Sequence, residues 1–147
     1  MQIAMIGLGR MGMNMAKRLL LGGHDVVAFN RTPGKTDQLV KEGAIGAYSL
    51  REPVEKLTPP RVTWIMLPAG PTVDENIDQL KDILSSDDII IDGGNTHYKD
   101  DIRRADLLAE RKIKFIDAGV SGGIWGLKKG YCLMVGGGKN LPIPKTR

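Results

Sequence analysis

Residues 1–15 read MQIAMIGLGRMGMNM, and the punctuation of that stretch decides the fold. Ile3, Met5 and Ile6 form a short apolar run that predicts a buried strand at the start of the chain. Gly7, Gly9 and Gly12 follow as G-x-G-x-x-G, and residues 14–21 continue at helical spacing. In a strand–turn–helix of this kind the first glycine permits a sharp turn. The second lets the backbone approach a pyrophosphate, and the third lets helix pack closely on strand. The helix would then aim free N–H groups and its positive dipole end at the phosphates. Glycine-rich turns are common, and a tight turn without a ligand is the competing reading. The place of this one between strand and helix favours a dinucleotide, held by Gly7, Leu8, Gly9, Arg10, Met11 and Gly12.

Beyond the first helix, Gly22-Gly23 end it, His24 reads as a turn residue, and residues 26–29 form a second strand. Pro33 suits the first turn of a helix running to about Glu42. Residues 44–48 are a weak third strand, and 49–57 a short helix interrupted at Pro53. A fourth strand spans 62–67. After Pro68-Ala69-Gly70-Pro71, Thr72 and Glu75 have the spacing of a capping box for a helix to about Leu84. Residues 88–92 are a fifth strand, 99–111 a charged amphipathic helix, 114–117 a sixth strand and 131–135 a last one. Alternation of strand and helix predicts a single α/β domain with a doubly wound, mostly parallel sheet of the Rossmann type. In such sheets ligands bind beyond the carboxyl ends of the strands. The loops at Gly7, Asn30, Pro68, Asn95 and Ser121 should therefore open at one edge.

The 147 residues are 41% hydrophobic and 26% charged, which suits an ordinary soluble domain. No apolar run approaches the ~20 residues of a membrane span, so no membrane partner is expected. The single cysteine, Cys132, excludes an internal disulfide and fits a reducing, cytoplasmic setting. Its place in the apolar run 131–135 predicts a packed core thiol. The net charge of +4 invites nucleic acid. The basic residues are dispersed, however, and no strand carries an aromatic stacking pattern, so no nucleic acid is expected. A basic balance also suits phosphorylated small molecules.

Asn30 stands 23 residues beyond Gly7, at the end of the second strand, where NAD-selective sites usually carry an acid for the ribose hydroxyls. Asn30-Arg31-Thr32 offers an amide, a guanidinium and a hydroxyl instead, a set that accommodates a 2′-phosphate. NADP is favoured, with NAD still possible.

Three stretches taken together resemble decarboxylating 6-phosphogluconate dehydrogenase: residues 7–12, Ile91-Asp92-Gly93-Gly94-Asn95, and Ala118-Gly119-Val120-Ser121-Gly122-Gly123. The continuation through Ile124-Trp125-Gly126-Leu127 and residues 130–134 is closer to the shorter, bacterial-type members. The resemblance covers residues 1–137, leaving 138–147 as a Gly/Pro-rich tail. It implies a cofactor- and substrate-binding domain for oxidative decarboxylation of 6-phosphogluconate, a phosphorylated sugar acid, in the pentose phosphate pathway. Asn95, Ser121, Gly122 and Gly123 would bind the sugar acid beside the nicotinamide, with Asn95 serving the cofactor as well. Leu67, Pro68 and Ala69 would lie against the nicotinamide, although Pro68 stands where the family often has a cofactor-contacting lysine.

The family draws its proton-abstracting lysine from a K-x-x-H-N segment and uses a downstream glutamate as an acid. Neither occurs in these residues. No catalytic residue is assigned, Lys139 and Lys145 lack the motif, and Lys128 and Lys129 read as solvated or cofactor-edge charge. The family's helical domain is missing as well, so the chain alone is expected to be inactive and to self-associate through uncovered apolar surface. A non-catalytic nucleotide-binding module, a truncated degenerate relative, or a domain of a related 3-hydroxyacid dehydrogenase are the alternatives.

Overall fold

The computed structural model describes residues 1–137, so the tail 138–147, with Lys139 and Lys145, lies outside the described residues. Seven strands form one sheet: β1 (Gln2–Ile6), β2 (Asp25–Phe29), β3 (Ile45–Ala47), β4 (Val62–Ile65), β5 (Ile89–Asp92), β6 (Lys114–Ser121) and β7 (Cys132–Gly137). Their order is β3-β2-β1-β4-β5-β6-β7. All neighbours are parallel except β6 and β7, whose antiparallel register sets Ser121 opposite Cys132. The helices are α1 (Arg10–Leu21), α2 (Pro33–Val40), α3 (Arg51–Lys56), α4 (Pro71–Leu80), α5 (Tyr98–Ala109) and α6 (Gly126–Lys129).

Side chains alternate across a strand, so a strand covered on both faces feeds two cores. In β1, Ile3 and Met5 join Leu8, Met15 and Ala16 of the α1 side, and β2 adds Val26 and Ala28 to that layer. Ala4 and Val27 point the other way, with Ala47 and Leu57. Ile6 joins Ile65, Ile90, Val73, Ile77, Leu80 and Leu108 under α4 and α5. The order outward from β1 reverses direction between β2 and β4, which opens a crevice at the carboxyl edge.

Several local expectations shift. Pro53 does not interrupt α3; it sits at the third helical residue, where no intrahelical N–H is needed. Thr72 does not cap α4. Pro71 opens that helix behind Gly70, placing Thr72 inside, where its carbonyl accepts a bond from Asn76 Nδ2 at 2.8 Å. β4 ends at Ile65, two residues early, while β6 runs on to Ser121. A 3₁₀ turn (Gly123–Trp125) and α6 follow, where the sequence suggested only loop. Cys132 is exposed rather than packed, because β7 is an edge strand with both faces open among the described residues.

The interior also holds charge. Arg104 of α5 is 1% exposed. Its Nη1 donates to Asp92 Oδ2 at 3.1 Å and its Nε to Asp74 Oδ1 at 2.8 Å, joining α5 to β5 and α4. Burial opposes ionisation of Asp74, but hydrogen bonds from Arg104 and Arg103 hold it below the usual carboxylate range. Asp101, a turn before Arg104, goes the other way. Burial and the negative charges of Asp117 and Asp92 push it up to about 6, against the pull of Arg104.

The folded chain therefore binds the Asp101 proton more tightly than the unfolded chain, whose carboxyl keeps its ordinary value of 3.8. That contribution to stability is full below about pH 4 and is lost as pH rises to about 6. Asp101→Asn, which cannot ionise, should gain on the wild type by up to about 3 kcal/mol between pH 4 and pH 7. Denaturant unfolding of both proteins across that range measures the difference; a pH-independent gap would refute the shifted carboxyl.

Candidate functional site

The glycine turn is built by two steric conditions. Gly7 has φ +93, and a Cβ there would stand 2.6 Å from the Met66 carbonyl oxygen. At Gly12 a Cβ would collide with the Gly7 carbonyl oxygen, so α1 starts directly on top of its own turn. Gly9 is different: a Cβ would meet nothing within 4 Å, and its backbone is in the extended region. The space above Gly9 is open to a ligand.

α1 begins at Arg10, after Gly9 at the cap position, without a side-chain cap and without an acid in its first turn. The first intrahelical bond is Met13 N–H to the Gly9 carbonyl at 2.9 Å. The N–H groups of Arg10, Met11 and Gly12 precede it, in the turn where orphan donors and the positive dipole end favour an anion.

Around this N-terminus lies a cavity of about 490 Å³. Its wall comes from Gly9 to Gly12, from Met66, Leu67 and Pro68 after β4, from Gly93, Gly94 and Asn95 after β5, and from Gly119, Val120 and Ser121 of β6. Of the five loops expected at one edge, those at Gly7, Pro68, Asn95 and Ser121 meet at this cavity, and Asn30 does not line it. Met134 of β7 completes the wall. Met66 gave no sign in sequence, since it was read as strand, while Val120 and Met134 lie in the stretches that carry the family resemblance but were given no role there.

The other expected site residues stand apart from that wall. Leu8 is buried in the core, and its N–H donates to Asn30 Oδ1 at 2.9 Å. Asn30 Nδ2 donates in turn to the Thr32 carbonyl at 3.1 Å. The amide expected to face the ribose therefore also clamps the glycine turn to the β2–α2 loop. Arg31 and Thr32 are exposed beyond β2. Ala69, Gly122 and Gly123 are exposed as well, the two glycines at φ +137 and +50 where β6 gives way to the 3₁₀ turn. Lys128 and Lys129 are exposed, with Lys129 Nζ 5.8 Å from the centre of the Trp125 ring.

The loop after β5 is organised by Asp92, which lies in the stretch that carries the family resemblance but was given no role from sequence. Its Oδ1 accepts from Gly94 N–H at 2.9 Å and its Oδ2 from Thr96 Oγ1 at 3.1 Å, so both flanks of Asn95 are tied to one buried carboxylate.

Comparison with known proteins agrees with this geometry. Residues 2–142 match the family described as the NAD binding domain of 6-phosphogluconate dehydrogenase. The decarboxylating 6-phosphogluconate dehydrogenase of Staphylococcus epidermidis is 48% identical over 143 residues, covering 95% of this chain and 31% of that protein. The NAD(+)-dependent decarboxylating enzyme of Haloferax volcanii is 40% identical over 137 residues, covering 93% of this chain and 45% of that one. Among solved structures, Plasmodium falciparum 6-phosphogluconate dehydrogenase, described with NADP+ and with 6-phosphogluconate, superposes with a TM-score of 0.88 at 35% identity. That match covers 95% of this chain and 31% of the other. The chain spans less than half the length of the curated relatives it matches. On the glycine turn, the strand order and the sequence match, it belongs to the family of the 6-phosphogluconate dehydrogenase NAD-binding domain.

Proposed function

We propose that this domain binds NADP and presents a phosphorylated sugar acid, 6-phosphogluconate, to its nicotinamide, as the cofactor-binding part of a decarboxylating dehydrogenase. The observation that carries the reading is the uncapped N-terminus of α1 opening into a cavity walled by the carboxyl ends of β4, β5 and β6. In this reading the first turn of α1 holds the pyrophosphate. The adenosine half lies toward β2, where Arg31 and Thr32 meet the 2′-phosphate, and the nicotinamide half lies over Leu67, Pro68 and Asn95. Bound there, the nicotinamide supplies the hydride acceptor. Asn95 and Ser121 offer an amide and a hydroxyl to the sugar-acid hydroxyls and carboxylate, and the apolar wall of Met66, Leu67 and Met134 limits water. The reading places the domain's work in the pentose phosphate pathway, in the cytoplasm.

Gly9 and Gly12 separate binding from folding. Gly9→Val fits the backbone it replaces and should cost under about 1 kcal/mol of stability, yet it should abolish nucleotide binding measured by calorimetry. Gly12→Ala forces a methyl onto the Gly7 carbonyl and should lower stability by about 2 kcal/mol or more. A folded Gly9→Val protein with unchanged nucleotide affinity would remove the pyrophosphate assignment.

Cofactor preference follows from Arg31. A charge-assisted hydrogen bond contributes about 1.5–3 kcal/mol, and 1.4 kcal/mol is about tenfold in affinity. Arg31 is exposed, so the lower end applies and NADP should bind about tenfold tighter than NAD. Titration of both cofactors into wild type and into an Asn30→Asp, Arg31→Ala double variant tests this. A wild type that prefers NAD, or a variant that keeps the NADP preference, would overturn it.

Self-association is the remaining part of the reading. Its support is the apolar surface on and beside β7: Trp125 is 62% exposed and Met134 72% exposed, with Ile124, Leu133 and Val135 also open. Light scattering should show mass rising with concentration and falling when Met134 is replaced by Lys. A clean monomer at high concentration would count against it.

A further inference from the structure

Asn95 sits on a loop whose path depends on one carboxylate. Asp92 spends Oδ1 on the Gly94 N–H and Oδ2 on the Thr96 hydroxyl, and the same Oδ2 accepts from Arg104 Nη1. Arg104 is anchored from behind by Asp74, through its Nε at 2.8 Å. Asp92 and Arg104 are both out of water. A buried ion pair contributes little net stability compared with well-packed apolar residues of the same size. What Asp92 supplies that an apolar residue could not is a set of acceptors for the loop, and what Arg104 supplies is the charge and direction that hold those acceptors still.

We propose that Arg104 is a positioning residue: through Asp92 it fixes Asn95 toward the nicotinamide and the sugar acid without touching either. The proposal rests on reading the cavity as a dinucleotide site. The strand order localises its effect. β5 lies on the opposite side of β1 from β2, so its loop serves the nicotinamide half and leaves the adenosine half alone.

The test compares NADP with adenosine 2′,5′-bisphosphate, a probe that carries the adenosine end and no nicotinamide. The variants are Arg104→Met, Arg104→Lys and Thr96→Val; the last changes a partly exposed loop residue and should leave the fold intact. In Arg104→Met and Thr96→Val, NADP affinity should fall about five- to tenfold, while bisphosphate affinity stays within about twofold of wild type. Arg104→Lys, which keeps the charge, should recover most of the loss. Amide exchange at Gly94 and Asn95 should quicken in the two weakened variants, with Arg10, Met11 and Gly12 unchanged. Should Arg104→Met fail to fold, Thr96→Val and Arg104→Lys decide the matter. Equal weakening of both ligands, or no weakening and no faster exchange in Thr96→Val, would overturn the positioning role. A wild type that binds neither ligand would overturn the dinucleotide site beneath it.

Discussion

α1 packs directly on the turn it grows from. Gly12 rests against the carbonyl of Gly7, and a methyl group at either position would strike backbone. Backbone cannot swing aside as the end of a long side chain can, so this contact fixes where the helix begins and which way it points. The direction of α1 then determines where its free N–H groups aim. Close packing on one side and vacancy above Gly9 on the other are two aspects of one arrangement: the helix is pressed down where it must not move and left open where an anion must enter.

A second, polar constraint governs the other half of the crevice. Met66 and Leu67 anchor the loop after β4 on the cores, whereas the loop after β5 is set by charge. Arg104 reaches from α5 through the core to Asp92, and Asp74 of α4 shares the guanidinium. Removing one member of such a group strands a charge away from water, a loss of about 3–5 kcal/mol. The arrangement is therefore intolerant of single changes, and it ties two helices and a strand end to the shape of the one loop between β5 and α5.

Much of this was legible in the sequence because it is local. The short apolar runs of β1 and β2, the glycine spacing and the turn residues at strand ends are decided within a few residues of themselves. Arg104 was not legible. In a helix that also carries Lys99, Asp100, Arg103 and Asp106 it looks like one more solvated charge, and its burial is set by Asp74 and Asp92, 30 and 12 residues away. Cys132 misled for a related reason. An apolar run says that a strand can be buried, but whether helices cover it depends on its place in the sheet, and β7 fell at the edge. Thr72 had the right spacing for a cap, yet Pro71 is better suited to the first helical position and moved the start of α4 forward.

The double role of Asn30 bears on how such a domain can change its cofactor. Its Oδ1 holds the Leu8 N–H, and its Nδ2 holds the Thr32 carbonyl. A carboxylate in its place would still accept from Leu8, so the phosphate turn would keep its inner support. The lost donor would be felt at Thr32, on the exposed side of the loop, where the backbone has room to adjust. Neutral amide and charged acid are thus interchangeable at this one position without rebuilding the turn beside it. On the proposed assignment of Asn30 to the ribose, a change of nucleotide preference at this position would leave the support of the glycine turn in place.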